Sequence, residues 1–197
     1  MPIHLDYDEP VLGYHRLLAG LAADLAGAGA SVLDVGCGPG QLLGHLAALR
    51  PDLTLLGIDG DDECLRRAAA RCPRAELRRV DIATLTTLDP ADRFEVIVSS
   101  HALEHLPHPV GAIERWAERL APGGRMVIAV PNALQLPLLG RALVRRPWAN
   151  DGHYYIWDRP TFENFCRLAG FRIVDRAVDY VPLVPVRLRR RLPGMAA

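Results

Sequence analysis

Lysine is absent from this chain: all 23 basic residues among its 197 are arginine. Schiff-base chemistry on a lysine amine is therefore excluded. Cysteine is sparse, and Cys37, Cys64, Cys72 and Cys166 nowhere form a C-x-x-C pair. That spacing suggests neither a zinc site nor a dithiol redox pair, and reduced structural thiols are expected. No apolar run is long enough to span a bilayer. Net formal charge is zero, so no general attraction to nucleic acid or to an anionic membrane is expected. Residues Met1 to Glu9 are polar and acidic, unlike a signal peptide, and a cytoplasmic protein is expected. No internal repeat is visible. A chain that is 50% hydrophobic suits one α/β domain, here 1–197, with a core of its own.

What the sequence does contain is an alternation of two periodicities. Residues 11–28 place Val11, Leu12, Leu17, Leu18, Leu21 and Leu25 at helical spacing. This predicts a helical cap over 1–30, with Tyr14 and His15 on or near it. Strands are predicted at Ser31–Val35, Leu53–Ile58, Glu76–Val80, Phe94–Ser99 and Arg125–Val130. Helices are predicted at Gln41–Leu49, Asp61–Arg71 and Val110–Leu120, with a turn at Ala121–Gly124. Residues 133–160 read as a lid or substrate wall, with a helix over Leu134–Val144. A helix at Thr161–Ala169, capped by Asp158 or Thr161, precedes a strand at Phe171–Tyr180. Residues 187–197 read as an exposed tail.

Strands alternating with helices imply parallel βαβ units and a Rossmann-like, doubly wound, mostly parallel sheet with helices on both faces. Past Phe171–Tyr180, Val184–Leu188 makes a poor strand: either it serves as a short edge strand, or the C-terminal antiparallel part of the sheet is incomplete. Ligands in such sheets sit beyond the carboxyl ends of the strands. Gly36–Gly40, Asp59, Asp81, Ser99–His105 and Pro131–Asn132 all fall just after a strand.

Val32-Leu-Asp-Val-Gly-Cys-Gly-Pro-Gly40 is a strand running into a glycine turn and a helix start. Glycine permits positive φ and removes the Cβ that would keep a ligand off the backbone, while a helix N-terminus favours an anion. Both a dinucleotide fold and a nucleoside-binding one carry an acid such as Asp59 about 20 residues on. Gly36-Cys37-Gly38-Pro39-Gly40 is not G-x-G-x-x-G, and Pro39 removes an N–H from any phosphate nest. Val32–Gly40 resembles motif I of class I S-adenosylmethionine-dependent methyltransferases. Asp59, Asp81-Ile82, His101–Pro109 and Leu120–Gly124 are similar to that family's later motifs, in order.

The resemblance implies S-adenosyl-L-methionine as cofactor, with Gly36, Cys37, Gly38 and Gly40 lying against its methionine part. It implies Asp34 bracing the loop or reaching the cofactor's amino group through water, and Asp59, followed by Gly60, holding the ribose hydroxyls. Asp81 and Ile82 would meet the adenine, Ser99 and His101 would border the cofactor, and Leu103 would add an apolar contact. The reaction expected is methyl transfer to O or N of a small molecule, possible in secondary metabolism. A non-catalytic binder of the same cofactor and a nicotinamide-dependent oxidoreductase are the alternatives, the loop spacing opposing the second.

Where an acceptor must lose a proton, His105 is the first candidate base and His153 the second. No metal site is expected: His101 and His105 are four apart, but no cysteine joins them and a loop breaks helical spacing. Tyr154, Tyr155 and Trp157 line either an acceptor pocket or the underside of the lid. Arg141, Arg145 and Arg146 read most simply as a solvated face. Ser99-Ser100-His101-Ala102 stands where amino methyltransferases of nucleic acids carry [DNS]-P-P-[YFW], so a nucleic-acid substrate is not expected. A membrane partner is not expected either, and the protein is read as a monomer or homodimer.

Overall fold

Five strands, β1 (Ser31–Val35), β2 (Thr54–Asp59), β3 (Glu76–Arg79), β4 (Phe94–Ser100) and β5 (Leu120–Ala129), form a parallel sheet of order β3-β2-β1-β4-β5. The structure is a computed structural model and describes residues 13–132 and 152–177. The expected Leu134–Val144 helix, Arg141, Arg145, Arg146, the Val184–Leu188 strand and the 187–197 tail lie outside the described residues.

The strand sequences alternate between two cores because successive side chains point to opposite faces. Val32, Leu55, Val96 and Val98 pack under α1 (Tyr14–Leu25) and α2 (Gln41–Leu49). Leu33, Leu56, Ile58 and Ile97 pack with Ile113 and Trp116 of α4 (Pro109–Ala117), against which Phe162 and Phe165 of α5 (Arg159–Leu168) also lie. α3 (Asp62–Arg71) buries Ala68. Both faces are thus covered, which is why the inner strands are mostly apolar, with Asp34 in β1 and Ser99 in β4 as buried exceptions.

Arginine does the fastening. The Arg50 guanidinium, just past α2, donates to the carbonyls of Ala23 (2.9 Å), Ala26 (3.1 Å) and Gly27 (2.9 Å). These groups end α1, where orphan carbonyls otherwise face water. The latch lays α1 along α2 and sends its other end, Tyr14 and His15, toward the ends of the strands. On the opposite face Trp116 is fully buried, and its indole N–H donates to the Ile82 carbonyl at 2.7 Å. That bond pins the turn following β3.

Boundaries shift by one to three residues from expectation, α4 ending three residues early at Ala117, except at β5. That strand starts at Leu120, pairing with Phe94, and resumes the ladder at Arg125, opposite Val96. Ala121–Gly124 is therefore a bulge inside the strand; Gly123 takes φ 79° there, a conformation glycine tolerates. The predicted strand Phe171–Tyr180 is corrected: residues 171–177 form no strand, and 178–180 lie outside the described residues. A strand needs an edge to pair with, and 171–177 instead run back along α5. The Phe171 N–H donates to Cys166 O, and Arg176 pairs with Glu163 at 2.7 Å. α5 begins at Arg159 behind a capping box in which Asp158 accepts from the Thr161 N–H.

Trp116→Phe keeps the ring but orphans the Ile82 carbonyl; urea denaturation should show a loss of about 1–3 kcal/mol.

Candidate active site at the carboxyl edge of the sheet

The chain turns sharply after β1 because one carbonyl collects two amides. Ile58 O accepts from Gly36 N–H (2.9 Å) and Cys37 N–H (3.0 Å). Gly38 N–H then donates to the Asp59 carboxylate at 2.9 Å, whose other oxygen accepts from Asp61 N–H at 2.9 Å. Gly36, Gly38 and Gly40 take φ of 73°, 50° and 78°. A Cβ on Gly36 would lie 2.7 Å from Ala102 Cβ, and one on Gly40 would lie 2.9 Å from Ala68. A Cβ on Gly38 would meet nothing within 4 Å. Two of the glycines thus serve packing, and the middle one faces open space. Arg71 of α3 ties the turn from outside, donating to Pro39 O at 2.6 Å.

Beneath the turn sits Asp34, 1% exposed, with Oδ2 lacking any hydrogen-bond partner. Burial, and then the neighbouring Asp59 charge, push its pKa up to about 8. An acid so placed is costly unless a cation or donor reaches it. Ser99, equally buried, does not help: its hydroxyl donates to Val35 O at 3.0 Å and staples β4 to β1. Asp81 is exposed and closes its own turn, accepting from Ala83 N–H (2.9 Å) and Thr84 Oγ1 (3.1 Å). Ile82 reaches the glycine turn, its Cδ1 lying 3.6 Å from where a Gly36 Cβ would be. The ends of β1, β2 and β4 and the turn after β3 therefore converge.

The loop after β4 adds a second cluster. His101 holds a left-handed φ of 53°, a strained state for a histidine. Its ring lies 4.6 Å from that of Tyr14, so α1 does cover this edge. Next to Tyr14, burial chiefly, with His101, His45 and Arg71 nearby, holds His15 down at about 4. Leu103 and Glu104 in the 3-10 turn Leu103–His105 are wholly buried. Glu104 has no hydrogen bond to either carboxyl oxygen; His101 Nδ1 is 3.5 Å from Oε1. His105 Nδ1 lies 3.0 Å from Gly152 O, and its ring meets His153 edge-on at 4.5 Å. Burial, then His105, holds His153 below its usual pKa.

A family model described as a methyltransferase domain matches residues 11–176. The chain belongs to the class I S-adenosylmethionine-dependent methyltransferase family. A trans-aconitate 2-methyltransferase of Methylobacterium nodulans is 35% identical over 117 residues, covering 59% of this chain and 43% of that protein. The chain thus spans less than half the length of such a relative. DesVI of Streptomyces venezuelae superposes with a TM-score of 0.51 at 28% identity, over 60% of this chain and 51% of that one. The plantazolicin methyltransferase BpumL, solved in complex with SAH, gives 0.64 at 19% identity, over 83% and 66%. That likeness is one of fold.

Within this methyltransferase fold, the residues named from sequence divide cleanly. Asp34, Gly36, Gly38, Asp59 and Ile82 gather at one place, with Asp81 and Gly60 on its exposed rim. Cys37 contributes its backbone, while its thiol is 6% exposed in the core under α2 and burial pushes its pKa up; it is no nucleophile. Leu103, at 0% exposure, packs in the other core and offers no free surface. Missed by sequence reasoning were Arg71, whose role depends on the α3 docking angle, and Glu104, hidden in the histidine motif as a spacer. A cleft of about 670 Å³ opens between α1, β5 and 171–177; His101 borders it, but Asp34 and Asp59 do not.

Asp34 has a testable pH signature. Its folded pKa of about 8 stands above the ordinary aspartate value of 3.8, so its contribution to stability is greatest in acid and is lost as pH rises through that window. Thermal unfolding from about pH 5 to 8 should show Asp34→Asn losing less stability with rising pH than the parent; parallel curves would refute the assignment.

Proposed function

We propose that this chain transfers a methyl group from S-adenosylmethionine to an oxygen or nitrogen of a small molecule. The observation that carries this reading is Asp34: a buried carboxyl with an unpartnered oxygen, set directly behind a glycine turn whose middle residue faces open space. A cationic amino acid end suits that pairing of charge and bare backbone. A pyrophosphate does not, since it brings no donor to Asp34 and would face the Asp59 carboxylate. The residues therefore fit the cofactor. Bound, the cofactor supplies an activated methyl on a sulfonium.

The chain's own residues then have distinct tasks. Asp34 takes the ammonium, and the backbone of Gly36–Gly40 lies along the methionine part. Asp59 holds the turn through Gly38 N–H and keeps lone pairs for ribose hydroxyls, a carboxylate having about four acceptor sites. Asp81 and Ile82 face the base, and His101 with Tyr14 closes the edge against water. His105, and after it His153, are the residues assigned to take a proton from an acceptor that must lose one. Relatives named trans-aconitate 2-methyltransferases make carboxylate-bearing acceptors the first to screen. A cytoplasmic protein acting as monomer or homodimer belongs to the same reading.

Calorimetry with S-adenosylhomocysteine should show binding, and NAD should not compete. Asp59→Ala should weaken that binding by about 1.5–3 kcal/mol, the range for hydrogen bonds to a charged group. Binding of NAD alone would overturn the reading, and unchanged affinity in Asp59→Ala would remove that residue's role. Turnover with a screened acceptor separates an enzyme from a non-catalytic binder.

A further inference from the structure

We propose that Glu104, His105 and His153 form a binding site for a divalent transition-metal ion of the zinc type. One ligand atom from each of the three lies within 4.8 Å of the others. The spacing that argued against a metal from sequence concerned His101 and His105; the fold instead recruits His153 from beyond 150 and Glu104 from between them.

Three further observations point to a ligand there. Glu104 is fully buried, yet neither carboxyl oxygen has a hydrogen bond. A buried carboxyl left so is expensive, and the shortfall is what a cation would repair. His105 Nδ1 stands 3.0 Å from the Gly152 carbonyl. A carbonyl only accepts, so the neutral ring donates from Nδ1 and turns its lone pair outward on Nε2. That is the arrangement by which metal-binding imidazoles are oriented. The His105 and His153 rings meet edge-on at 4.5 Å.

The framework is also built. Glu104 O accepts from Tyr154 N–H at 2.9 Å and Tyr155 N–H at 3.4 Å. Tyr155 OH donates to Pro107 O at 3.0 Å. The two ligand-bearing segments are therefore fastened on both sides of the cluster. His101 Nδ1, 3.5 Å from Glu104 Oε1, stands as the carboxyl's outer partner. Two imidazoles and a carboxylate suit zinc and its neighbours better than magnesium or calcium, which prefer all-oxygen shells. Three protein ligands leave a coordination position open. On the methyltransferase reading proposed above, that position would take an acceptor hydroxyl or carboxylate oxygen and lower the pKa of a bound hydroxyl, whose proton would pass to solvent water before methyl transfer. His105 and His153 then act by holding the ion rather than as bases.

Zinc and cobalt binding to the metal-free full chain tests this without activity. The expected result is a single bound ion, and a cobalt spectrum without a thiolate charge-transfer band. Glu104→Gln, His105→Ala and His153→Ala should each weaken binding by at least about tenfold, while the exposed His108→Ala should not. Zinc binding that is absent, unaffected by His153→Ala, or lost equally in His108→Ala overturns the site; so does a thiolate band in the cobalt spectrum. Circular dichroism reports folding of each variant, and His153→Ala, on an external segment, stands in should Glu104→Gln not fold. S-adenosylhomocysteine calorimetry on the parent reads the methyltransferase assignment separately, so either result can fail alone.

Discussion

The Ile58 carbonyl, accepting from two successive amides after β1, is the bond on which this edge of the molecule depends. It forces the chain to fold back over the end of β2 instead of continuing the ladder. With the backbone held there, Gly36 must lie against Ala102 and Gly40 against Ala68, distances no side chain would allow. The turn thereby draws α3 and the loop after β4 in toward β1. Asp59 completes the clamp by accepting from Gly38 N–H, beside the open space that a Gly38 side chain would enter. Support and recognition are thus assigned to one residue. Its loss would disturb both, and calorimetry reads the second.

Two acids are buried at this edge without adequate partners, Asp34 below the turn and Glu104 behind the loop after β4. Burying a carboxyl usually costs several kilocalories unless it is paired. The molecule tolerates both within a short span of its sheet, while the neutral Ser99 between them is fully satisfied by Val35 O. Ser100 Oγ, one residue on, is buried without a partner as well, so the unmet hydrogen bonds gather at this edge and are not confined to its acids. Strain at His101, a histidine held at φ 53° between Ala129 O and the Tyr14 ring, falls at the same place.

The alternation of β and α, the glycine turn and Asp59 could be read from sequence because each rests on local chemistry. Runs such as Val32–Val35 declare a strand, and the helix expected from Asp61 begins one residue later, with the Asp61 carboxylate capping it by accepting from the Glu63 and Cys64 N–H groups. Phe171–Tyr180 misled for the opposite reason: it has the composition of a strand, but a strand also needs a neighbour, and pairing is not local. The bulge at Ala121–Gly124 looked like a turn because its residues are turn residues; only the register with Phe94 and Val96 shows it lies inside β5. Glu104 was invisible as a functional group. Its meeting with His153 spans nearly fifty positions, and no spacing rule reaches that far.

The amides of Tyr154 and Tyr155 hang on the carbonyl of Glu104. The peptide group that carries the buried acid therefore also moors the segment that carries His153. Those two hydrogen-bonded amides cannot exchange their protons without the mooring parting, and when it parts His153 is carried off from Glu104. Access for exchanging protons and dispersal of the cluster are one cooperative opening. Whatever fills the space between these side chains would then act as a latch on the outer wall of the site, slowing its breathing as well as taking part in its chemistry.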